Sequence, residues 1–203
     1  MEDIMLERKG FLTYALLGIV LLGVPGAALA GNGSIAGKVT AEKEKYLENA
    51  VVYLEEVSGT HAPTSSAHMD QVGQVFTPFV LPVVKGTTVQ FLNNDNTEHN
   101  VNSPDGEPYD LGTKPKGETA THTFATLGVY TQLCNIHPSM IAYVVVLQNP
   151  HFAVTGADGT FRIADVPEGT YTIKIWHERR EGDPASVTVA SGQAADVTIA
   201  LHK

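Results

Sequence analysis

The stretch Gly128 to Met140, GVYTQLCNIHPSM, starts as a strand and ends as a tight loop. Val129 to Leu133 is short and rich in β-branched and aromatic residues, the composition of a pleated strand. Pro138 and the polar residues around it then break the pattern. The loop carries Cys134, the only cysteine among 203 residues. A lone cysteine cannot close an internal disulfide, so this thiol needs another reason to be present. His137 lies three residues on and Met140 three further.

A second histidine belongs with these. In GTTVQFLNNDNTEHNV, Gly86 to Val101, a strand at Thr87 to Phe91 is followed by a polar loop in which His99 is expected. A thiolate, two imidazoles and a weak thioether form the donor set of a blue-copper electron-transfer site. The thiolate suits copper(I), and the imidazoles suit both oxidation states. Three donors on one short loop and a fourth at a neighbouring strand end would let a rigid sandwich hold a compromise geometry. Zinc is the competing metal, but a thioether is not among its usual donors. A cysteine nucleophile is the enzymatic alternative, and no partner set for it stands out.

Outward from the loop the chain reads almost entirely as strands. Ser34 to Val39, Ala50 to Leu54, Tyr143 to Leu147, Thr160 to Ile163 and Tyr171 to Trp176 fit the pattern, as do Ala185 to Val189 and Asp196 to Leu201. Lys85-Gly86, Asp158-Gly159, Pro167-Glu168-Gly169 and Ser191-Gly192 supply turns between them. Ala41 to Glu48 is the one helix candidate, short and charged. Many short strands with regular turns predict β-sandwiches, hence an all-β protein.

The chain's first residues have a different character. Arg8 and Lys9 precede a mostly apolar run from Phe11 to Val24, and Ala28-Leu29-Ala30 offers the small residues of a cleavage site. That run is shorter than the roughly 20 residues of a membrane span. Residues 1–30 are therefore expected to be a Sec-type signal peptide cleaved after Ala30, leaving no membrane anchor and a periplasmic or otherwise exported protein. Its removal takes away Glu2, Asp3, Glu7 and two bases, so the formal charge moves from −9 to −8. An acidic chain with scattered charges argues against nucleic acid as a partner.

Residues 68 to 148 or so resemble a cupredoxin of the plastocyanin and amicyanin type. The resemblance rests on Cys134-x-x-His137-x-x-Met140, with its short amicyanin-like loop, and on His99-Asn100-Val101 35 residues before the cysteine. It implies a Greek-key β-sandwich over 59–149 and one type 1 copper held by His99, Cys134, His137 and Met140. It also implies that the backbone amide of Asn100 supports the cysteine sulfur. Two residues depart from the family's pattern. Leu133 stands where plastocyanins commonly carry a tyrosine used as a second electron route, and Gln132 occupies a usually apolar position. With the side route in doubt, His137 is the expected electron port, with Pro138 beside it at the surface.

The chain's end resembles a second family. TGADGTFRIADVPEGTYTIKI, Thr155 to Ile175, is similar to the carboxypeptidase regulatory-like, transthyretin-like sandwich. That module usually opens with a strand such as GSIAGKVT, which here lies upstream at 33–40. Roughly 50 residues is marginal for a separate core. Residues 31–58 and 150–203 are therefore expected to form one smaller sandwich interrupted by the cupredoxin, with Val51 to Glu55 able to pair in either unit. This nesting resembles exported methylamine-utilisation and plastocyanin-like proteins.

The resemblance implies a one-electron carrier, not an enzyme, working with a redox protein partner. Copper storage or delivery is the second class, though such proteins favour Met- or His-rich tracts and this chain has four methionines. A copper oxidase or nitrite reductase would need further histidines, typically His-x-His pairs, and the chain has none. Carbohydrate binding by the second sandwich would rest on Trp176 and Tyr171, which read more simply as core. His61, His68, His122, His151, His177 and His202 read as surface histidines.

Overall fold

The computed structural model describes residues 31–203; the expected signal peptide lies outside the described residues. In chain order the strands are β1 (Gly33–Thr40), β2 (Val51–Leu54), β3 (His68–Val72), β4 (Val75–Thr77), β5 (Val80–Val84) and β6 (Thr88–Asn93). Then come β7 (His99–Ser103), β8 (Tyr109–Lys114), β9 (Thr119–Thr123), β10 (Gly128–Leu133), β11 (Ile141–Leu147) and β12 (Phe152–Val154). The last are β13 (Thr160–Val166), β14 (Gly169–Trp176), β15 (Glu181–Gly182), β16 (Ala185–Val189) and β17 (Ala194–His202). The protein is all-β.

The strands form four sheets, in the orders β13-β1-β17-β15, β12-β2-β14-β16, β5-β11-β10-β7-β8 and β4-β3-β6-β9. The first two enclose one core, built from Ile35, Val52, Leu54, Ile163, Ile173 and Ile199 among others. The last two enclose another, in which Met69, Phe76, Phe91, Phe124 and Tyr130 are packed with Cys134 and Met140. Strand β1 pairs in parallel with β17 and antiparallel with β13, so the chain's first described strand is built into its last ones.

A third apolar cluster explains two unusually hydrophobic stretches. Val51, Val80, Val145 and Leu147 are buried together, with Tyr53, Phe79, Tyr143 and Trp176 against them. Alternation along β2 sends Val52 and Leu54 into one core and Val51 and Tyr53 out towards β11. Along β11, Val144 and Val146 face the core that contains Cys134 while Tyr143, Val145 and Leu147 face the other sandwich. Both strands are thus buried on two faces, which gives near-continuous apolar runs instead of alternation. Each buried Val or Leu there contributes roughly 1.5–3 kcal/mol by leaving water. This resolves Val51 to Glu55: β2 is laddered to β12 and β14, and it meets the middle segment through side chains and the Leu54 carbonyl, which accepts from Asn149 Nδ2 at 2.9 Å.

Three local expectations are corrected. The helix candidate at Ala41 to Glu48 contains only a 3-10 turn, Glu44–Tyr46, pinned by buried Tyr46. So short a segment cannot offset the cost of helix nucleation, and Asn49 at φ 64 turns the chain away. His99 is not in the loop but is the first residue of β7. His177 is buried, its Nδ1 accepting the Arg179 N–H at 3.0 Å.

Candidate metal centre

The site lies at one end of the middle sandwich, where β6 turns into β7 and β10 runs into the loop before β11. Asn93, buried at the end of β6, folds the first turn. Its Nδ2 donates to the Thr97 and Lys114 carbonyls at 2.9 and 2.8 Å, and its Oδ1 accepts the Asp95 N–H at 3.0 Å. Asp95 is thereby held beneath His99, and its Oδ2 accepts from His99 Nε2 at 3.0 Å. The same oxygen accepts the Gln74 N–H at 2.7 Å from the β3–β4 hairpin. Those bonds, the Gln74 amide first and His99 next, hold the Asp95 carboxyl down at about 2. It is therefore an acceptor at neutral pH, and in a neutral His99 the ring proton sits on Nε2, leaving Nδ1 its lone pair.

That lone pair points at the other donors. His99 Nδ1 lies 3.1 Å from His137 Nδ1, and His137 Nδ1 lies 3.9 Å from Cys134 Sγ. The ligating atoms of His99, Cys134 and His137 all fall within 4.8 Å of one another. His99 and Cys134 are buried, whereas His137 is half-exposed. The Asn100 N–H donates to Cys134 Sγ at 3.4 Å. Pro138 sits second in a turn closed by the Met140 N–H on the His137 carbonyl at 2.9 Å, a position its fixed φ suits. Met140 is 1% exposed, in the same core cluster as Cys134.

Two converging imidazole nitrogens and a buried sulfur fit a cation with affinity for nitrogen and soft sulfur. His99, Cys134 and His137 are thus brought together. His61, His68, His122, His151, His177 and His202 lie outside the cluster. Residues not singled out in the sequence also shape it, notably Asp95, Asn102, Asp110 and Asn135. A spacing cue existed for Asp95, four residues before His99 in a turn-forming Asn/Asp run.

Gln132, the second departure from the family's pattern, has a structural account. It is fully buried, and its Nε2 donates to the Tyr130 carbonyl at 2.9 Å. Its Oε1 accepts a hydrogen bond from the Tyr109 hydroxyl. Tyr109 stacks on His122 with ring centroids 3.8 Å apart. Burial pushes the Tyr109 phenol well above its ordinary range, so it donates at any physiological pH. The amide is paired at both ends, which is what allows it inside the core.

Fold and site together define a class: an all-β protein of two sandwiches, the middle one bearing a His–Cys–His cluster. The family model "Carboxypeptidase regulatory-like domain" matches residues 139–202. No curated protein sequence matches the chain. Among solved structures it is similar to a novel purple cupredoxin from Nitrosopumilus maritimus, at 26% identity and TM-score 0.38, covering 40% of this chain and 99% of that one. It is also similar to amicyanin from Paracoccus versutus, at 20% identity and TM-score 0.38, covering 47% and 96%. A copper-containing nitrite reductase from Thermus scotoductus matches at 28% identity and TM-score 0.39, and the match covers 46% of this chain but 25% of that one.

Proposed function

We propose that the protein is an exported one-electron carrier with a single type 1 copper held by His99, Cys134, His137 and Met140. The observation that carries the reading is the 3.1 Å approach of the two Nδ1 atoms beside the buried thiol. His99 is locked by Asp95 with its Nδ1 lone pair free, and the sulfur receives the Asn100 amide. Copper in this donor set supplies a Cu(II)/Cu(I) couple without bond chemistry. The chain's own part is to keep the donors fixed and dry, so that little moves when charge changes. Met140 is the fourth, axial donor in this reading.

The port is the half-exposed edge of His137. Beside it Pro138 is exposed, Ile136 is 43% exposed and Ile141 is 38% exposed, an apolar rim suited to a small, short-lived contact with a redox protein. The domain boundaries proposed are 31–58 with 150–203 for the outer sandwich and 59–149 for the middle one. No helix among the described residues is long and apolar enough to cross a membrane.

The alternative, copper storage or delivery, predicts an ion that leaves readily. Loading the protein with one copper and cycling it by voltammetry beside a copper(I) chelator separates the two. A carrier returns the same reversible wave after many cycles. Stripping of the metal on the first reduction favours delivery. Cys134→Ser serves as the control and is expected to fold without the thiolate-to-copper band.

A further inference from the structure

We propose that Asp110 is a positioning residue for the Cys134 sulfur, acting through Asn100. Asp110 lies on β8, an edge strand two strands away from β10, and its carboxylate hydrogen-bonds Asn100, Gly112 and Asn135, none of them among the proposed ligands. Its carboxylate nonetheless reaches both segments that carry them. Oδ1 accepts from Asn100 Nδ2 at 2.6 Å and from the Gly112 N–H at 2.8 Å. Oδ2 accepts from Asn135 Nδ2 at 3.4 Å. Asn100 follows His99 and Asn135 follows Cys134, so one side chain ties the two ligand segments together.

The placement depends on an irregular register. In the β7–β8 ladder Asn100 pairs with Thr113 and Asn102 with Asp110, with a shift between them. Such a bulge re-aims side chains locally. Gly112, at φ 71, makes the turn that lets its own amide cap the Asp110 carboxylate. Asn100 Oδ1 in turn accepts from Asn102 Nδ2 at 2.7 Å and from the Asn135 N–H at 3.3 Å. Asn102 Nδ2 also donates to the Leu133 carbonyl at 3.2 Å and to Asn135 Oδ1 at 3.1 Å. Asn100 is thus clamped by its side chain, with its backbone N–H left pointing at Cys134 Sγ, 3.4 Å away.

The chemical consequence concerns charge on sulfur. A hydrogen bond to a thiolate withdraws electron density from it, and hydrogen bonding around the cysteine sulfur is one determinant of a type 1 potential. The Asp110–Asn100 bond is charge-assisted, so it is among the stronger links in the chain. Releasing it frees Asn100 to rotate and weakens the amide–sulfur bond.

The inference rests in part on the copper reading, so the test has one arm without metal and one with it. Asp110→Asn keeps an oxygen to accept from Asn100 Nδ2 and removes the charge; Asp110→Ala removes both. In the apoprotein, hydrogen exchange of the Asn100 amide is measured by NMR. Asp110→Ala is expected to exchange roughly tenfold faster or more, the factor for losing one such bond, with Asp110→Asn close to wild type. In the copper-loaded protein, Asp110→Ala should shift the thiolate-to-copper band while Asp110→Asn retains it. Unchanged exchange in Asp110→Ala overturns the proposal whether or not copper binds. Equal effects of both variants on the potential, with the band unmoved in either, reduce Asp110 to a remote charge and also overturn it. Absence of any band in the wild type counts against the copper reading alone, and the exchange arm still decides on Asp110.

Discussion

Gln132 offers the sharpest quantitative test of how the strand leading into the ligand loop is held. Its side chain makes two hydrogen bonds inside the core, from its Nε2 to the Tyr130 carbonyl and from the Tyr109 hydroxyl to its Oε1. A net hydrogen bond of this kind is worth about 1 kcal/mol. Gln132→Leu, similar in size, therefore costs about 2 kcal/mol, and Tyr109→Phe, which removes one bond, about 1 kcal/mol. The Tyr109 bond is common to both changes and can be lost only once. The double variant should lose about 2 kcal/mol, not the additive 3, a coupling of about 1 kcal/mol. The assay is urea unfolding of the apoprotein at neutral pH, with slopes compared first, because two sandwiches can unfold in separate steps. Trp176, in the apolar cluster between them, serves as a fluorescent reporter. Additivity within about 0.3 kcal/mol would refute the claim that these two side chains support one another.

Met140→Gln should retain copper and shift the reduction potential, because an axial donor tunes the metal more than it holds it; voltammetry checks this, and loss of affinity would make the thioether a principal ligand. Pro138→Glu should slow electron exchange with a surrogate partner in stopped flow while leaving the copper spectrum unchanged, and equal rates across several salt concentrations would move the port elsewhere. His177 sets a pH dependence. Burial lowers its pKa from 6.5, with Arg180 and Arg179 adding to the effect against Glu178. The unfolded chain then binds the extra proton more readily, so this contribution to stability is complete above about pH 6.5 and falls away below it. Thermal melts from pH 7.5 to 5 should show the decline, to which burial of His122 and His151 adds in the same sense, and His177→Gln should make it shallower.

Much of this was legible in the sequence, for identifiable reasons. Short β-branched segments such as Val129 to Leu133 and Tyr143 to Leu147 announced themselves because alternate side chains such as Tyr130, Val144 and Val146 pack into the core. Strands β3, β8 and β9 did not, since half or more of their residues are polar and they take their shape from neighbours. Strand β5 was hidden by Pro82, which the edge position tolerates because no partner there needs its missing N–H. The Cys-x-x-His-x-x-Met spacing exposed the loop's candidate donors because they sit on one tight turn, which brings Cys134 and His137 together with His99. Asp95 and Asp110 stayed hidden because each acts through another residue, and spacing shows donors more readily than the groups that orient them. Gln132 looked anomalous for a related reason: its partner Tyr109 lies 23 positions away.

The central claim is that His99, Cys134 and His137 hold copper with a thiolate bond. A titration of the purified protein with Cu(II), followed in the visible range, tests it most directly. The account predicts an intense thiolate-to-copper charge-transfer band that saturates at one copper per chain and is lost in Cys134→Ser. Copper binding without that band, or a band that survives in Cys134→Ser, would contradict it.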